Sequence, residues 1–362
     1  MRLAYVSLHW PRTRNSGVGK KIQSQVAAWN EMGHEARLFL HSAHQEPVSD
    51  LIEAEYFFYP VSGKLGTEFH RILAVRRMLS AIRDFAPDLI YLRYGIYVYP
   101  VHQLMKIAPV VEEINTNDLT QHEGLGRLYS LYNSWTRGIL LRSVHGLIPV
   151  SDELAETPAF ASYQKPSCVI ANGVNLSKFP LLPPAKNHVP HLVFIGSPGY
   201  PWHGVDKIVD LARRIPDVNI GVVGYHGLPE LEPLPENIKL HGYLDVNQYQ
   251  KVLAAADVAI SSLALHRVGL EEASPLKSRE CLAFGLPMII AYKDTDLEDS
   301  GGDFLLRIPN KEDNIKTHAD AIREFAYKMQ GKRVERRFIQ ALDQHNKEDK
   351  RLRFFESLLN SR

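Results

Sequence analysis

What most limits the folds open to this chain is a repeated alternation: short, nearly unbroken apolar runs followed by segments of helical periodicity, once in the first half and again in the second. Apolar runs without a polar alternate face are strands buried on both sides, the pattern of parallel sheets covered by helices. Arg2 to Leu8 reads as such a strand. Gly17-Val18-Gly19 then opens a helix with Ile22, Val26 and Trp29 at i, i+4, i+7, and Gly33 closes it before a strand over Ala36 to Leu40. A helix from Leu65 to Phe85, strands at Asp88 to Arg93 and Pro109 to Ile114, a helix from Gly126 to Arg142, and strands at Gly146 to Val150 and Cys168 to Ala171 complete this half. The proline-rich, unpatterned stretch Phe179 to Pro190 marks a boundary. The pattern restarts with a strand at His191 to Gly196 and a helix carrying Val205, Ile208, Val209 and Ala212 on one face. Strands follow at Asn219 to Val223, Ile238 to Gly242, Asp257 to Ser261, Met288 to Tyr292 and Phe304 to Ile308. At 362 residues the chain is too long for one ordinary core. The expectation is therefore α/β, with two doubly wound domains, 1–182 and 183–340, facing a cleft.

Glu271 to Pro287 is the stretch with most chemistry. Ser274 suits an N-cap and Pro275 the first helical position, so a short helix is expected from there to Gly285. Lys277 then falls in the first turn, where the helix dipole disfavours a cation by roughly 0.3 to 1 kcal/mol. A bound anion reverses that sign, and free amides at a helix start are suited to phosphate. Glu280 lies ~9 Å along the axis from the cap, within reach of a ribose attached to such a phosphate. The plainer alternative is a surface helix in which Lys277 pairs with Glu280 at i+3. Ser274 to Lys277 also spells S-x-x-K, but Pro275 follows the serine directly and neither S-D-N nor K-T-G occurs in the chain, which argues against a serine nucleophile.

Glu112-Glu113-Ile114-Asn115-Thr116-Asn117-Asp118 clusters carboxylates and amides at the end of an expected strand, where open α/β sheets bind ligands. The helix from Leu65 carries Arg71, Arg76, Arg77 and Arg83 and follows the aromatic run Tyr56-Phe57-Phe58-Tyr59. That combination suits either peripheral contact with an anionic membrane or a core-packing helix with a solvated arginine face. With 42 basic against 41 acidic side chains the chain has no overall field for nucleic acid. Two cysteines, Cys168 and Cys281, are too few for a disulfide framework or a cysteine zinc site. No apolar run is long enough to span a membrane, and MRLAYVSLHW lacks a signal-peptide core, so a soluble, cytoplasmic protein is expected.

Taken in order, Gly17-Val18-Gly19, Asn172-Gly173-Val174-Asn175, Gly204-Val205-Asp206, Ala256-Asp257-Val258 and the pair Glu272 and Glu280 with seven residues between them resemble retaining glycosyltransferases of the GT-B fold, family 4. The variant with Ser274-Pro275-Leu276-Lys277 before the second glutamate looks like members that build cell-surface polysaccharides. The resemblance implies a hexosyl transfer from a nucleoside-diphosphate sugar to a glycan or lipid-linked saccharide, with retained anomeric configuration, no metal and no other cofactor. It implies that Glu280 holds the ribose, that amides around Ser274, Leu276 and Lys277 hold the distal phosphate, and that Glu272 holds a sugar hydroxyl. Gly17 and Gly19 would admit the diphosphate to the first domain, and Tyr243 after Gly242 would contact the base. The family also often returns a C-terminal helix, here 341–362, to its first domain.

Three departures accompany the resemblance. The family's diphosphate arginine and lysine fall here on Ser197 and His203, so a protonated His203, or Arg267 from a nearby loop, is expected to supply the charge. The first-domain histidine is replaced by Asn115, with Glu113 and Glu123 close in sequence. Pro275 removes one amide. A non-catalytic subunit that binds a nucleotide sugar or a partner is the rival reading, and a nucleotide-sugar epimerase would leave the first-domain arginine surface without a purpose.

Overall fold

The structure is a computed structural model, and it describes residues 1–11, 16–44, 47–49, 52–121, 126–298 and 300–361. Two compact units are present, one comprising Met1–Ala171 with Gln344–Arg362 and the other Asn172–Asp343. The first runs β1 (Arg2–Ser7), α1 (Gly17–Glu31), β2 (Glu35–Ser42), β3 (Ala54–Phe58), α2 (Gly63–Phe85), β4 (Leu89–Arg93), β5 (Val110–Ile114), α3 (Asp118–Gln121), α4 (Arg127–Leu141), β6 (Gly146–Pro149), α5 (Asp152–Glu156) and α6 (Pro158–Ala161). Its six strands are all parallel, in the order β3-β2-β1-β4-β5-β6. Ile22, Val26 and Trp29 of α1 are fully buried against the sheet, as their spacing requires.

The second unit runs β7 (His191–Ile195), α7 (Val205–Arg214), β8 (Asn219–Val223), β9 (Ile238–Gly242), α8 (Val246–Ala255), β10 (Val258–Ile260), β11 (Glu272–Ala273), α9 (Leu276–Ala283), β12 (Met288–Ile290), β13 (Lys293–Asp294), β14 (Leu305–Arg307) and α10 (Asn314–Met329). Its main sheet is again parallel, ordered β14-β12-β10-β7-β8-β9. Each sheet reverses its winding once, between β1 and β4 in the first unit and between β7 and β10 in the second. Ligands of doubly wound sheets sit at such reversals, outside the carboxyl ends of the strands. The last helix, α11 (Gln344–Asn360), packs on the first unit: Phe355 meets Trp29 edge-on at 5.8 Å, and Glu348 accepts the Trp29 indole N–H at 2.8 Å.

Three local readings of the sequence need correcting. The units change over at Asn172 rather than in the proline-rich stretch, because residues after 171 are tied to the second unit: Asn172 N donates to Ser274 Oγ (3.2 Å), Val174 N to Leu342 O (2.8 Å) and Leu182 N to Phe284 O (3.1 Å). Cys168 to Ala171 is not a strand. It runs beside β6, joined by Cys168 N to Leu147 O and Ile170 N to Pro149 O, and Pro166 has no amide with which to extend the ladder. The aromatic run Tyr56 to Tyr59 is not an exposed cluster; most of it lies in the edge strand β3, where Phe57 is buried and stacks on Phe39.

Candidate functional site

In the second unit a small pocket of about 40 Å³ opens at the sheet reversal. Phe194 and Ile195 of β7, Ile260 with Ser261 and Ser262 from the end of β10, and Pro275, Lys277 and Ser278 at the start of α9 line it, together with His203. The helix begins one residue later than its sequence suggests. Pro275, whose side chain has no acceptor to offer, is the N-cap, and the Ser274 hydroxyl before it is taken by the amide of Asn172, 102 positions away. The first helical bond is Arg279 N to Pro275 O, so the amides of Leu276, Lys277 and Ser278 have no acceptor within the helix. Gly285, at φ +90°, ends the element as expected.

Lys277 does not lie along the helix surface toward Glu280. Its Nζ turns to Ser197 Oγ at 3.4 Å, and Glu280 accepts instead from Tyr249 OH at 3.3 Å. Burial lowers the Lys277 pKa, and the Glu280 charge opposes that shift only partly. Among the described residues lining the pocket, Lys277 is the only lysine or arginine. Ser261, Ser278 and Tyr292 form a closed hydroxyl triangle behind it, with contacts of 2.6, 2.8 and 3.2 Å. Arg279, which sequence reading passed over, is fully buried and anchors the helix through Asp294, Asp296 (3.1 Å) and the carbonyl of Asn172 (3.1 Å).

Neither expected substitute for the diphosphate cations is available in this form. His203 lies in the 3-10 turn Pro201–His203 among the rings of Phe194, Tyr200 and Trp202, and Ser197 N donates to its Nδ1 at 3.4 Å. Burial, and then the neighbouring Lys277 charge, push its pKa down to about 4, so the ligand-free imidazole is neutral at pH 7. Arg267 is held by both oxygens of Asp206, at 2.8 and 2.7 Å, and by Glu312, so its guanidinium is committed to that cluster. Glu272 is buried in β11, outside the pocket lining. Tyr243 is exposed after β9, against the His226 ring at 5.3 Å.

In the first unit Gly17 and Gly19 open α1, and Ser16 Oγ accepts from Gly19 N at 3.5 Å. Glu113 and Asn115 are indeed together at the carboxyl end of β5, but not as free groups. Glu113 is fully buried, paired with Lys21 and Arg93 at 2.8 Å each, and accepts from Asn115 Nδ2 at 3.0 Å. Burial alone would raise its pKa; Lys21 and Arg93 outweigh that and hold it well below the carboxylate range. Lys21 also donates to Asn115 Oδ1 at 2.9 Å, which fixes the amide's orientation. Glu113 is therefore fully engaged by these partners and holds the Asn115 amide in place. Glu112 points the other way, as strand alternation requires, and is equally buried, with no hydrogen bond to either oxygen from the described residues. Burial and then Asp118 push its carboxyl up to about 8. Glu123 lies outside the described residues.

Residues 15–178 match the family model described as Glycosyltransferase Family 4. Among solved structures, a sucrose-phosphate synthase from Thermosynechococcus elongatus superposes with a TM-score of 0.70 at 16 % identity, covering 100 % of both chains. The lipopolysaccharide outer core galactosyltransferase WaaB gives 0.68 at 11 % identity over 99 % of both. Anabaena HepE, solved with UDP and glucose, gives 0.63 at 16 % identity over 98 % of this chain and 99 % of its own. No curated protein sequence matches the chain. The fold is GT-B, as in these glycosyltransferase structures, and the match to the family 4 model is confined to residues 15–178. No helix among the described residues is long and apolar enough to cross a membrane.

Proposed function

We propose that the chain is a retaining glycosyltransferase that moves a hexosyl group from a nucleoside-diphosphate sugar to a glycan or lipid-linked saccharide during surface-polysaccharide synthesis, in the cytoplasm and peripheral to the membrane. The observation that carries this reading is the convergence, at the sheet reversal of the second unit, of three amides without helical acceptors and one lysine without a paired carboxylate. A diphosphate supplies the missing acceptors and the missing counter-charge together. Glu280 then takes the ribose, Tyr243 the base and Glu272 a hydroxyl of the sugar.

Donors and dipoles already in position at the leaving diphosphate need no reorganisation as its charge develops, which is how such a site lowers the barrier. Leu276, Lys277 and Ser278 amides and the Lys277 ammonium are the groups we assign to that task, without a metal ion or other cofactor. In the first unit, Asn115, held by Lys21 and Glu113, is the residue we assign to the transfer step.

The locked state of Glu113 and the neutral His203 favour one second reading, a subunit that binds a nucleotide sugar without turning it over. Release of nucleoside diphosphate from UDP-, GDP- and ADP-sugars, with and without saccharide acceptors, separates the two. Acceptor-dependent release supports the transferase. Saturable binding of one donor with no release under any acceptor supports the subunit and refutes the transferase.

A further inference from the structure

A serine followed by proline is well suited to start a helix. Its hydroxyl then accepts an amide two or three residues on, and its carbonyl accepts the amide four residues on. Ser274 in that role would close Leu276 N or Lys277 N with its hydroxyl and Ser278 N with its carbonyl, two of the three amides that α9 leaves open. Neither acceptor is used in this way, because Asn172 takes both. Its backbone N–H donates to Ser274 Oγ at 3.2 Å, and its side-chain Nδ2 donates to Ser274 O at 2.8 Å. Pro275 accordingly has the φ of a helix, −65°, but an extended ψ of 133°, and the helix starts one residue after it. Turning that ψ into the helical range would add Pro275 to α9 and deliver both Ser274 acceptors to the amides.

Asn172 is itself held firmly. Its carbonyl accepts from Arg279 Nε at 3.1 Å, and Arg279 is fully buried against Asp294 and Asp296. Two positions on, Val174 N is tied to Leu342 O at 2.8 Å. The clasp has a cost, since Asn172 Oδ1 is buried and accepts no hydrogen bond from the described residues. A small apolar side chain would avoid that cost, so asparagine is not what stability alone selects at this position. Asn172 does not line the pocket, and what it does there it does through Ser274.

We infer that Asn172 is a positioning residue that keeps the start of α9 open to an anion, by withholding from the helix the two Ser274 acceptors that would otherwise close it. The identity of the anion rests on the diphosphate reading above, whereas the opening is measurable without any ligand. Amide exchange followed by NMR on the full chain, paired with calorimetric titration of uridine, guanosine and adenosine diphosphates, is the test. In the parent chain the Lys277 and Ser278 amides should exchange fast. Asn172→Ala removes the shorter of the two clasping bonds. It should protect those amides and weaken binding of the preferred diphosphate roughly 3- to 30-fold, the range a serine cap is worth. Asn172→Asp, which keeps the shape and loses the Nδ2 donor, should give the same protection. Adding Ser274→Ala to Asn172→Ala should restore fast exchange at Lys277 and recover most of the lost affinity, because no hydroxyl remains to cap the helix. A residue that merely packs this loop would instead leave the double variant weaker than the single one. Unchanged exchange in both Asn172 variants, unchanged affinity of Asn172→Ala, or a double variant that binds more weakly than Asn172→Ala overturns the inference. Exchange that follows the expected order while no diphosphate binds the parent chain upholds it and sinks the donor reading instead.

Discussion

Replacing Lys277 by alanine separates a ligand-binding lysine from a structural one, because the two roles move different observables in opposite ways. In the ligand-free chain this side chain contributes one long hydrogen bond, to Ser197 Oγ at 3.4 Å, and its charge is carried at a cost, since burial lowers its pKa. Removing it should therefore leave thermal stability within about 0.5 kcal/mol, or raise it slightly. Bound to a diphosphate, the same ammonium makes a charge-assisted hydrogen bond worth ~1.5 to 3 kcal/mol, so Lys277→Ala should weaken nucleoside-diphosphate binding roughly 10- to 100-fold. Arg279, two residues on, supplies the contrast: it is fully buried against Asp294 and Asp296, and Arg279→Ala should cost roughly 3 to 5 kcal/mol of stability by leaving those carboxylates unpaired. Calorimetric titration with uridine, guanosine and adenosine diphosphates, paired with thermal melts, reads both quantities. A Lys277→Ala variant that binds every diphosphate as the parent does, or that melts many degrees lower, refutes the reasoning.

Three further outcomes follow from the same geometry. Arg267→Ala should lower stability through loss of the Asp206 and Glu312 contacts while diphosphate affinity changes less than about threefold, below ~0.7 kcal/mol; a larger loss of affinity would return Arg267 to the donor site. The His203 ring, assigned by comparison with His203→Gln, should titrate in the ligand-free protein well below the unperturbed value of 6.5, and a midpoint at or above that value contradicts its burial. Because its folded pKa is depressed, its contribution to stability is complete above pH 6.5 and declines as pH falls toward 4. Glu112 has the opposite sign: its folded pKa of about 8 stands above the ordinary 4.5, so stability falls as pH rises through that interval, by up to about 1.4 kcal/mol per pH unit. Glu112→Gln should then raise the melting temperature at pH 8 by several degrees more than at pH 5, and an equal effect at the two values would show that the carboxyl is ionised in the fold.

The central strands were legible because they are buried on both faces and therefore spelled out as apolar runs; β8 falls on the residues expected, Asn219–Val223, and so does the half-exposed edge strand β9, Ile238–Gly242. What could not be read were the choices made by distant partners. The Ser274 hydroxyl is a sound cap in sequence, yet Asn172 claims it, and that single long-range bond leaves the amides of α9 open. Arg267 looked available until Asp206 and Glu312, 61 and 45 positions away, engaged it. The sequence shows Glu112 and Glu113 as one carboxylate cluster, whereas the strand sends them to opposite faces and only Glu113 meets Lys21 and Arg93. The apolar outer face of α4 was hidden for a different reason. Its buried side holds polar Asn133 and Arg137, both bound by Asp118, while Leu128, Leu131 and Trp135 face outward, so the apolar pattern points to the wrong face.

The account's central claim is that a diphosphate lodges at the start of α9, and a crystal structure of the chain with a bound nucleoside diphosphate tests it directly. The distal phosphate should accept from the amides of Leu276 and Lys277 and from Lys277 Nζ, with the ribose hydroxyls on Glu280. A phosphate held elsewhere in the second unit, with those amides still without an acceptor, would contradict it.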